Sequence, residues 1–151
     1  MRIALYQPDI PQNAGNIFRL GACLGVPVDI IEPTGFIFDD KKFKRSAMDY
    51  INHIEYKRHI DWQHFYNWTK KNKFRLILMT TKASQSFYKF EFQSSDILLF
   101  GRESAGVPEE IHQLVDHRLT IPMKEAVRSI NLSSSVALVI GEGLRQTNKI
   151  N

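Results

Sequence analysis

The chain has 151 residues, enough for one domain that buries its own core without disulfides or a structural metal, so we expect residues 1–151 to form a single domain. Hydrophobic residues make up 43% and charged residues 24%, which excludes a disordered or fibrous chain. The formal charge of +4 is compatible with a polyanionic partner but does not require one.

Cysteine content and the N-terminus indicate the compartment. Cys23 is the single cysteine, so an intrachain disulfide and a cysteine-based zinc site are both excluded. We interpret Cys23 as an inert thiol in the core. Pro8 and Pro11 leave no room for a signal-peptide core, and the apolar runs are far shorter than the roughly 20 residues of a membrane helix. We therefore predict a cytoplasmic protein with no membrane partner.

Short apolar runs alternate with segments of helical period along the whole chain. This pattern predicts an α/β fold with a mostly parallel sheet flanked by helices. Several of the runs are unbroken, as expected for strands that are covered on both faces. The predicted strands are residues 2–6, 28–31, 54–57, 75–79, 96–100 and 118–121.

Five helices are predicted between and after these strands. The first begins near Gly15 or Asn16 and stops before Gly25, and the second is short and basic, around residues 40–48. Asp61 is predicted to cap the third, a fourth follows residue 108, and the last covers about 131–146. The side chains predicted to face inward are Ile17, Leu20, Leu24, Trp62, Phe65, Tyr66, Thr69, Ile111, Leu114, Val115, Val136, Val139, Ile140 and Leu144.

The segment after the first strand is the first of three candidate binding segments, since ligands of open α/β sheets bind at the carboxyl ends of strands. It places Asn13, Asn16 and Arg19 where the strand gives way to a helix. Asn16 and Arg19 share a helical face, and the helix N-terminus adds free backbone donors. The alternative is that both asparagines cap the helix and Arg19 is a solvated surface charge.

The second segment, residues 100–108, has two glycines five residues apart between a strand and a helix. Gly101 and Gly106 allow the backbone to approach a ligand closely, and Glu103 can accept hydrogen bonds. Neither a phosphate-binding loop nor a dinucleotide fingerprint is present. A purely structural turn is the alternative for the two glycines.

The third segment, residues 121–136, contains a strand end, a polar loop and a helix start. Ser129 or Asn131 can cap the helix, and capping alone could account for both. Capping does not account for the neighbouring Arg128 or for the serines at 133–135.

Other chemistries find less support in the sequence. The five histidines form no His-Glu-x-x-His pair, and no Gly-x-Ser-x-Gly elbow is present. We therefore predict no metal, and we interpret the histidines as surface or helix residues.

Taken in this order, the three segments resemble the motifs of the SPOUT superfamily of RNA methyltransferases. More narrowly, the chain is similar to the short tRNA ribose 2′-O-methyltransferases that act on the wobble pyrimidine. The match extends over almost the whole chain. The residues that carry it are 5–8, 10–20, 31–36, 39–41, 78–82, 100–103, 106–108, 121–123, 128–133 and 135–136.

This resemblance implies a trefoil knot near the C-terminus, a homodimer, and S-adenosylmethionine as the methyl donor. It implies that the backbone around Met79, Gly101 and Ile121, together with Ser129, holds that cofactor. Arg19, in its own subunit or from the partner, is then expected to meet the RNA. The further residues that we expect to contact the substrate are Asn13, Asn16, Glu103 and Arg128.

The implied reaction is an in-line attack of a ribose 2′-oxygen on a sulfonium methyl group, which needs no metal. Arginine stays protonated and is a poor general base, so we expect Arg19 to position the substrate, helped by Ser129 and Asn131. Four basic residues are candidate contacts to the anticodon stem-loop of tRNA, although a charge run is usually a solvated face. They are Lys41, Lys42, Lys44 and Arg45. The alternatives are a ribosomal RNA 2′-O-methyltransferase and a catalytically silent RNA-binding protein.

Overall fold

The computed structural model describes residues 1–38 and 41–147, without the side chains at 44, 46, 48 and 49. It contains a six-stranded sheet in the order β3-β2-β1-β5-β4-β6, and every neighbouring pair is parallel. The strands are β1 (Arg2–Tyr6), β2 (Val28–Ile31), β3 (Tyr56–His59), β4 (Arg75–Met79), β5 (Asp96–Phe100) and β6 (His117–Leu119). The predicted α/β class with a parallel sheet is confirmed.

Helices cover both faces of this sheet. They are α1 (Pro11–Leu24), α2 (Lys41–Ala47), α3 (Trp62–Lys71), α4 (Glu109–Leu114) and α5 (Leu132–Gln146), with short 3-10 helices at Met48–His53 and Phe87–Lys89. One core cluster joins α1, α2 and α5 to the sheet, and a second joins α3 and α4 to its other face. Burial on both faces explains why β5 is an unbroken apolar run after its first residue.

Several predicted boundaries are confirmed. Strands β1, β2, β4 and β5 have the predicted limits. The Asp61 carboxylate caps α3 by accepting a hydrogen bond from the backbone of His64, and Gly25 ends α1 in the left-handed conformation with φ of 64°. Asn131 caps α5, and the four predicted inward residues of that helix are buried.

Three boundaries were predicted wrongly. β3 lies two residues later, because its register with β2 begins at Val28 opposite Tyr56 while Ile54 packs against the core. β6 covers His117–Leu119, and Thr120 leaves the ladder to bridge Ser86. α1 begins at Pro11, earlier than predicted, because the first helical position needs no backbone donor and suits proline.

Several side-chain predictions were also wrong. Leu24 and Leu114 are partly exposed, and Val115 follows α4 and does not belong to it. Cys23 is exposed, so it is not a core thiol. His59 is fully buried in β3, where its ring nitrogens have Asp29 and His64 as partners. Residues 39 and 40, where the resemblance and the predicted second helix extend, lie outside the described residues.

In the part of the chain that the structure describes, no helix combines the length and apolar character needed to cross a membrane.

Candidate active site

A cavity of about 390 Å³ lies at the carboxyl ends of the central strands. Met79 ends β4, Gly101 follows β5 and Ile121 follows β6, and all three line the cavity. Ligands of parallel α/β sheets bind at this end, and the volume is in the ordinary range for small-molecule sites.

The walls of the cavity combine apolar side chains with hydroxyl and amide groups. The apolar members are Ile10, Leu78, Met79, Phe100, Val107, Ile121, Met123, Ile130 and Leu132. The polar members are Asn13, Thr80, Thr81, Arg102, Glu103, Thr120, Arg128, Ser129, Asn131 and Ser135. Such a lining fits a ligand with a flat apolar ring system and several hydrogen-bonding groups, as in a nucleoside.

The two glycines after β5 close a tight turn at the edge of the cavity. The backbones of Arg102 and Gly106 exchange two hydrogen bonds, of 3.0 and 2.9 Å. A Cβ atom on Gly101 would lie 2.6 Å from the carbonyl carbon of Gly106, and Gly106 itself has φ of 66°. The turn therefore requires glycine at both positions, and it also lines the cavity.

One chain of hydrogen bonds connects the three predicted segments. The Glu103 carboxylate accepts from the backbone N–H of Asp9 at 2.8 Å and from the Asn13 amide at 3.1 Å. The Asn13 carbonyl oxygen in turn accepts from the Asn131 amide at 3.0 Å. Asn13 is buried, so these bonds have little competition from water. We call Asp9, Asn13, Arg102, Glu103 and Asn131 the carboxyl-end network.

Asn131 has two functions in this arrangement. Its side-chain oxygen accepts hydrogen bonds from the backbones of Ser133 and Ser134 at the start of α5, and its side-chain nitrogen donates to Asn13. Of the two predicted cap candidates, Ser129 and Asn131, the cap is Asn131. Capping uses only the side-chain oxygen of Asn131. The side-chain nitrogen holds the start of α5 against α1 through its hydrogen bond to Asn13.

Asp9 and Arg102 form the part of the network that sequence reasoning missed. Two guanidinium nitrogens of Arg102 donate to one oxygen of Asp9, at 2.6 and 3.2 Å, and Ser104 donates twice to the other. The hydrogen bond from Arg102 is the largest cause that lowers the pKa of Asp9. The signal in the sequence was an acidic residue shortly after β1 and a basic residue shortly after β5. Such residues can pair because the carboxyl ends of β1 and β5 are neighbours in the sheet.

The structure brings eight of the predicted site residues to the cavity. They are Asn13, Met79, Gly101, Glu103, Ile121, Arg128, Ser129 and Asn131. The first predicted segment turned out to be helical, and α1 is capped at Ile10 without a side-chain hydrogen bond. The alternative that Asn13 and Asn16 cap this helix was therefore wrong.

Five other predicted residues are absent from the cavity lining in the part of the chain that the structure describes. Asn16 and Arg19 are exposed on α1, and the Arg19 guanidinium lies 5.3 Å from the ring centre of Tyr50. On α2, Lys41, Lys42 and Arg45 are exposed and also lie outside the cavity lining. The side chain of Lys44 is outside the described part of the chain.

Comparison with known proteins identifies the family of this chain. The model of the SpoU rRNA Methylase family matches residues 1–141. A tRNA (cytidine(34)-2'-O)-methyltransferase of Beijerinckia indica is 49% identical over 148 residues, which cover 98% of this chain and 92% of the relative.

Two solved structures share the fold. One, from work on the 2-OH methylation of C/U34 on tRNA, has a TM-score of 0.91 at 39% identity and covers 96% of this chain and 94% of its own. The other is a SpoU methyltransferase from Streptomyces viridochromogenes in complex with AdoMet, with a TM-score of 0.89 at 22% identity over 97% of this chain and 57% of its own. Since the family match extends over nearly the whole chain, this protein belongs to the SpoU rRNA Methylase family.

Proposed function

We propose that the protein transfers a methyl group from S-adenosylmethionine to the ribose 2′-oxygen of the wobble pyrimidine, nucleotide 34, in the anticodon loop of tRNA. The observation that carries this proposal is the cavity at the carboxyl ends of the strands, built from all three predicted segments. It occurs in a chain with near full-length similarity to a relative named for methylation of cytidine 34.

The cavity fits the proposed methyl donor in size and chemistry. Backbone around Met79, Gly101 and Ile121 would hold the adenosine part, and the hydroxyl of Ser129 would add a polar contact. A protein of the same fold has been solved with AdoMet. When bound, S-adenosylmethionine supplies a methyl group on a positively charged sulfur, which needs no metal to make it electrophilic.

The remaining catalytic task is to align the ribose and to release one proton. In the proposed transfer, the 2′-oxygen would gain the methyl carbon as the carbon–sulfur bond breaks, the neutral thioether would leave, and the hydroxyl proton would pass to water. Ser129 and Asn131 line the cavity and can orient the hydroxyl. The Arg19 guanidinium stays protonated, so its role is to hold a phosphate or to stabilise negative charge that develops on the 2′-oxygen.

Arg19 is proposed to act in the partner subunit of a homodimer. It does not line the cavity of its own chain. Exposed apolar side chains on two helices support a contact between subunits; Leu24 lies on α1 and Leu138 on α5, and they are 39% and 44% exposed. A dimer that buries these helices would bring the Arg19 of one chain to the other chain.

The RNA is proposed to extend from the cavity over basic and polar residues of α1 and α2. Lys41, Lys42 and Arg45 are exposed and suited to contact phosphates, and Lys44 belongs to the same segment. Asn16 is exposed on α1, and the remaining proposed contacts, Asn13, Glu103 and Arg128, lie at the cavity.

We propose that residues 1–151 form one domain and that its C-terminal part is threaded as a trefoil knot. The knot follows from the resemblance described above. In the described chain the two segments next to this region run side by side, because the Thr120 N–H donates to the carbonyl of Gln85 and the Thr120 carbonyl accepts from the N–H of Phe87, which forms a parallel bridge.

The substitution Arg19→Ala tests the proposed chemistry. We expect turnover of an anticodon stem-loop to fall by at least about 100-fold, because loss of one electrostatic stabiliser commonly costs that much. Binding of S-adenosylmethionine, measured by calorimetry, is expected to stay unchanged, since Arg19 does not line the cavity. Full activity of Arg19→Ala would refute the assigned role.

A mixing experiment tests whether Arg19 acts across the dimer. Arg19→Ala is combined with Gly101→Ala, whose new Cβ would collide with the Gly106 backbone and disturb the turn that lines the cavity of its own subunit. Random exchange makes about half of the dimers mixed. In each mixed dimer, the cavity of the Arg19→Ala chain and the Arg19 of the Gly101→Ala chain form one intact site of the two, so we expect about a quarter of the wild-type rate to return. No recovery on mixing would place Arg19 at the site of its own chain.

The alternatives give different outcomes in the same assay. A silent RNA-binding protein would bind the stem-loop without methylating it and without binding S-adenosylmethionine. A ribosomal RNA enzyme would methylate ribosomal fragments in preference to tRNA. Mass spectrometry of tRNA from cells with and without the gene then shows whether one ribose methyl group at nucleotide 34 is missing.

A further inference from the structure

A second cavity, of about 640 Å³, lies beside the first and is lined mainly by polar side chains. Its wall contains two basic side chains, Lys82 and Arg118, and two histidines, His112 and His117. The other residues in its wall are Ala83, Ser84, Gln85, Gln113, Val115 and Asp116. None of these residues has a role in the methyl transfer proposed above.

The backbone connects the second cavity directly to the first. Thr81 lines the first cavity and the next residue, Lys82, lines the second; likewise Thr120 lines the first and Arg118 the second. The two segments are held together by hydrogen bonds from the Thr80 N–H to the Leu119 carbonyl and from the Thr120 N–H to the Gln85 carbonyl, both of 2.9 Å. Because two residues of extended chain span about 7 Å, a polymer bound in one cavity can reach the other.

The second cavity has an excess of positive charge. Within the described residues, Arg118 has no ion pair or side-chain hydrogen bond. The Lys82 ammonium pairs with Glu109 at 3.6 Å, and both side chains are about two-thirds exposed. Asp116 adds one negative charge to the wall, and the ammonium of Lys70 offsets it from 3.4 Å, so two basic side chains stand against one paired carboxylate.

His112 experiences the same positive charge. Burial is the largest cause that lowers its pKa; Lys82 and Arg118 lower it further, and Glu109 acts in the opposite direction. A neutral imidazole can still donate one hydrogen bond. The cavity therefore offers a guanidinium, an ammonium and neutral donors, which together are suited to a phosphate group.

We propose that the second cavity binds a backbone phosphate of the substrate RNA, next to the nucleotide whose ribose enters the first cavity. Arg118 and Lys82 are the residues that contact this phosphate, and Lys82 exchanges its exposed partner Glu109 for it. The inference rests on the proposed function, since it assumes an RNA substrate. It adds a contact on the β6 side of the site, separate from α1 and α2.

The double variant Lys82→Gln with Arg118→Gln tests this inference. We measure binding of an anticodon stem-loop at several salt concentrations, and expect weaker binding and a slope of log K against log salt that is smaller by about 1, as for one lost phosphate contact. Calorimetry with S-adenosylmethionine and thermal unfolding are expected to match the wild type. Lys71→Gln is the control, because Lys71 is an exposed lysine of α3 that belongs to the lining of neither cavity.

Two negative outcomes are distinguishable. If the wild type binds and methylates the stem-loop and the double variant has the same salt slope as Lys71→Gln, this inference is overturned while the proposed function stands. If the wild type neither binds nor methylates the stem-loop, both fail.

Discussion

The two ends of the parallel sheet use similar polar bonds for different purposes. At the amino end, charged side chains pair directly between neighbouring strands, and both of the aspartates in these pairs, Asp29 and Asp96, are fully buried. At the carboxyl end, the carboxyl-end network joins the segments that follow the strands and leaves a cavity among them. The comparison separates the part of the protein that holds the sheet together from the part that is proposed to bind ligands.

The amino end is closed by two arginine–aspartate pairs. Arg2 of β1 donates to Asp29 of β2 at 2.7 Å, and the other Asp29 oxygen lies 2.9 Å from a ring nitrogen of His59, the last residue of β3, so this cluster continues from the amino end along the strands. Arg75 of β4 donates twice to Asp96 of β5, at 2.6 and 2.8 Å. Both carboxylates are fully buried, so each depends on its partners for the interactions that water would otherwise provide.

At the carboxyl end, the hydrogen bonds connect the segments that follow the strands and not the strands themselves. Asn131 donates to Asn13 and Asn13 donates to Glu103, so three segments distant in sequence are held at fixed positions around an open space. Asn13, Glu103 and Asn131 themselves line that space. Substitutions at the amino end should therefore act on stability, and substitutions at the carboxyl end should act on activity.

The largest effect is expected for Asp29→Ala. This change leaves the Arg2 guanidinium and the buried His59 ring without their shared acceptor. Removal of one partner from a buried charged pair commonly costs about 3–5 kcal/mol, and we expect that loss in the free energy of unfolding measured with urea. The folded fraction should keep its affinity for S-adenosylmethionine, because Asp29 does not line the cavity.

Glu55→Gln is the matched control for Asp29→Ala. Glu55 also accepts a hydrogen bond from Arg2, at 2.8 Å, but its side chain is 71% exposed. An exposed pair of this kind contributes at most about 1 kcal/mol. Equal destabilisation by the two substitutions would show that burial of the amino-end cluster is not what stabilises the sheet.

Asn131→Asp should separate stability from activity at the other end. The new carboxylate still accepts the capping hydrogen bonds from the α5 backbone, so the helix should keep its stability. The new carboxylate cannot donate a hydrogen bond to the side-chain oxygen of Asn13. If the Asn13 amide turned its NH₂ group towards the new carboxylate, the Asn13 oxygen would face the Glu103 carboxylate instead. We expect turnover to fall about 10- to 100-fold, equivalent to about 1.4–2.7 kcal/mol in the barrier.

Ser133→Ala is the control for that prediction. The Ser133 hydroxyl donates to the side-chain oxygen of Asn131 at 2.7 Å, and its removal leaves the Asn131 bond to Asn13 intact. Turnover should then stay close to the wild type. A similar loss of turnover in Ser133→Ala and Asn131→Asp would mean that the helix cap, and not the bond to Asn13, is what the site needs.

The sequence was sufficient to predict local features that depend on neighbouring residues. Short apolar runs placed four strands at their observed limits, and the preference of short polar side chains for helix starts identified the cap Asp61 and narrowed the cap of α5 to Ser129 or Asn131. The order of glycines and polar residues after the strands also identified most of the residues that line the first cavity.

Features that depend on distant residues were missed. Asp29 and His59 are thirty residues apart and meet only because β2 and β3 are neighbours, so nothing local marks His59 as buried. The pair of Asp9 with Arg102 likewise requires the strand order, which places β5 beside β1. The start of α1 was placed too late because Pro11 looks like a loop residue although it suits the first helical position.

The smallest expected effect concerns acid stability at the carboxyl end. Hydrogen bonding from Arg102 lowers the pKa of Asp9 below its usual 3.8, so this bond stabilises the folded state fully above about pH 3.8 and loses that effect as the pH falls through the lowered pKa. Arg102→Gln should therefore be less stable than the wild type at pH 6, and the difference in unfolding temperature should shrink as the pH is lowered below 3.8. Lys71→Gln, which removes a positive charge at the other end of the sheet, should differ from the wild type equally at both pH values. If the Arg102→Gln difference were also independent of pH, the pairing of Arg102 with Asp9 would contribute nothing to stability, and the carboxyl-end network would depend on Glu103 and the two asparagines alone.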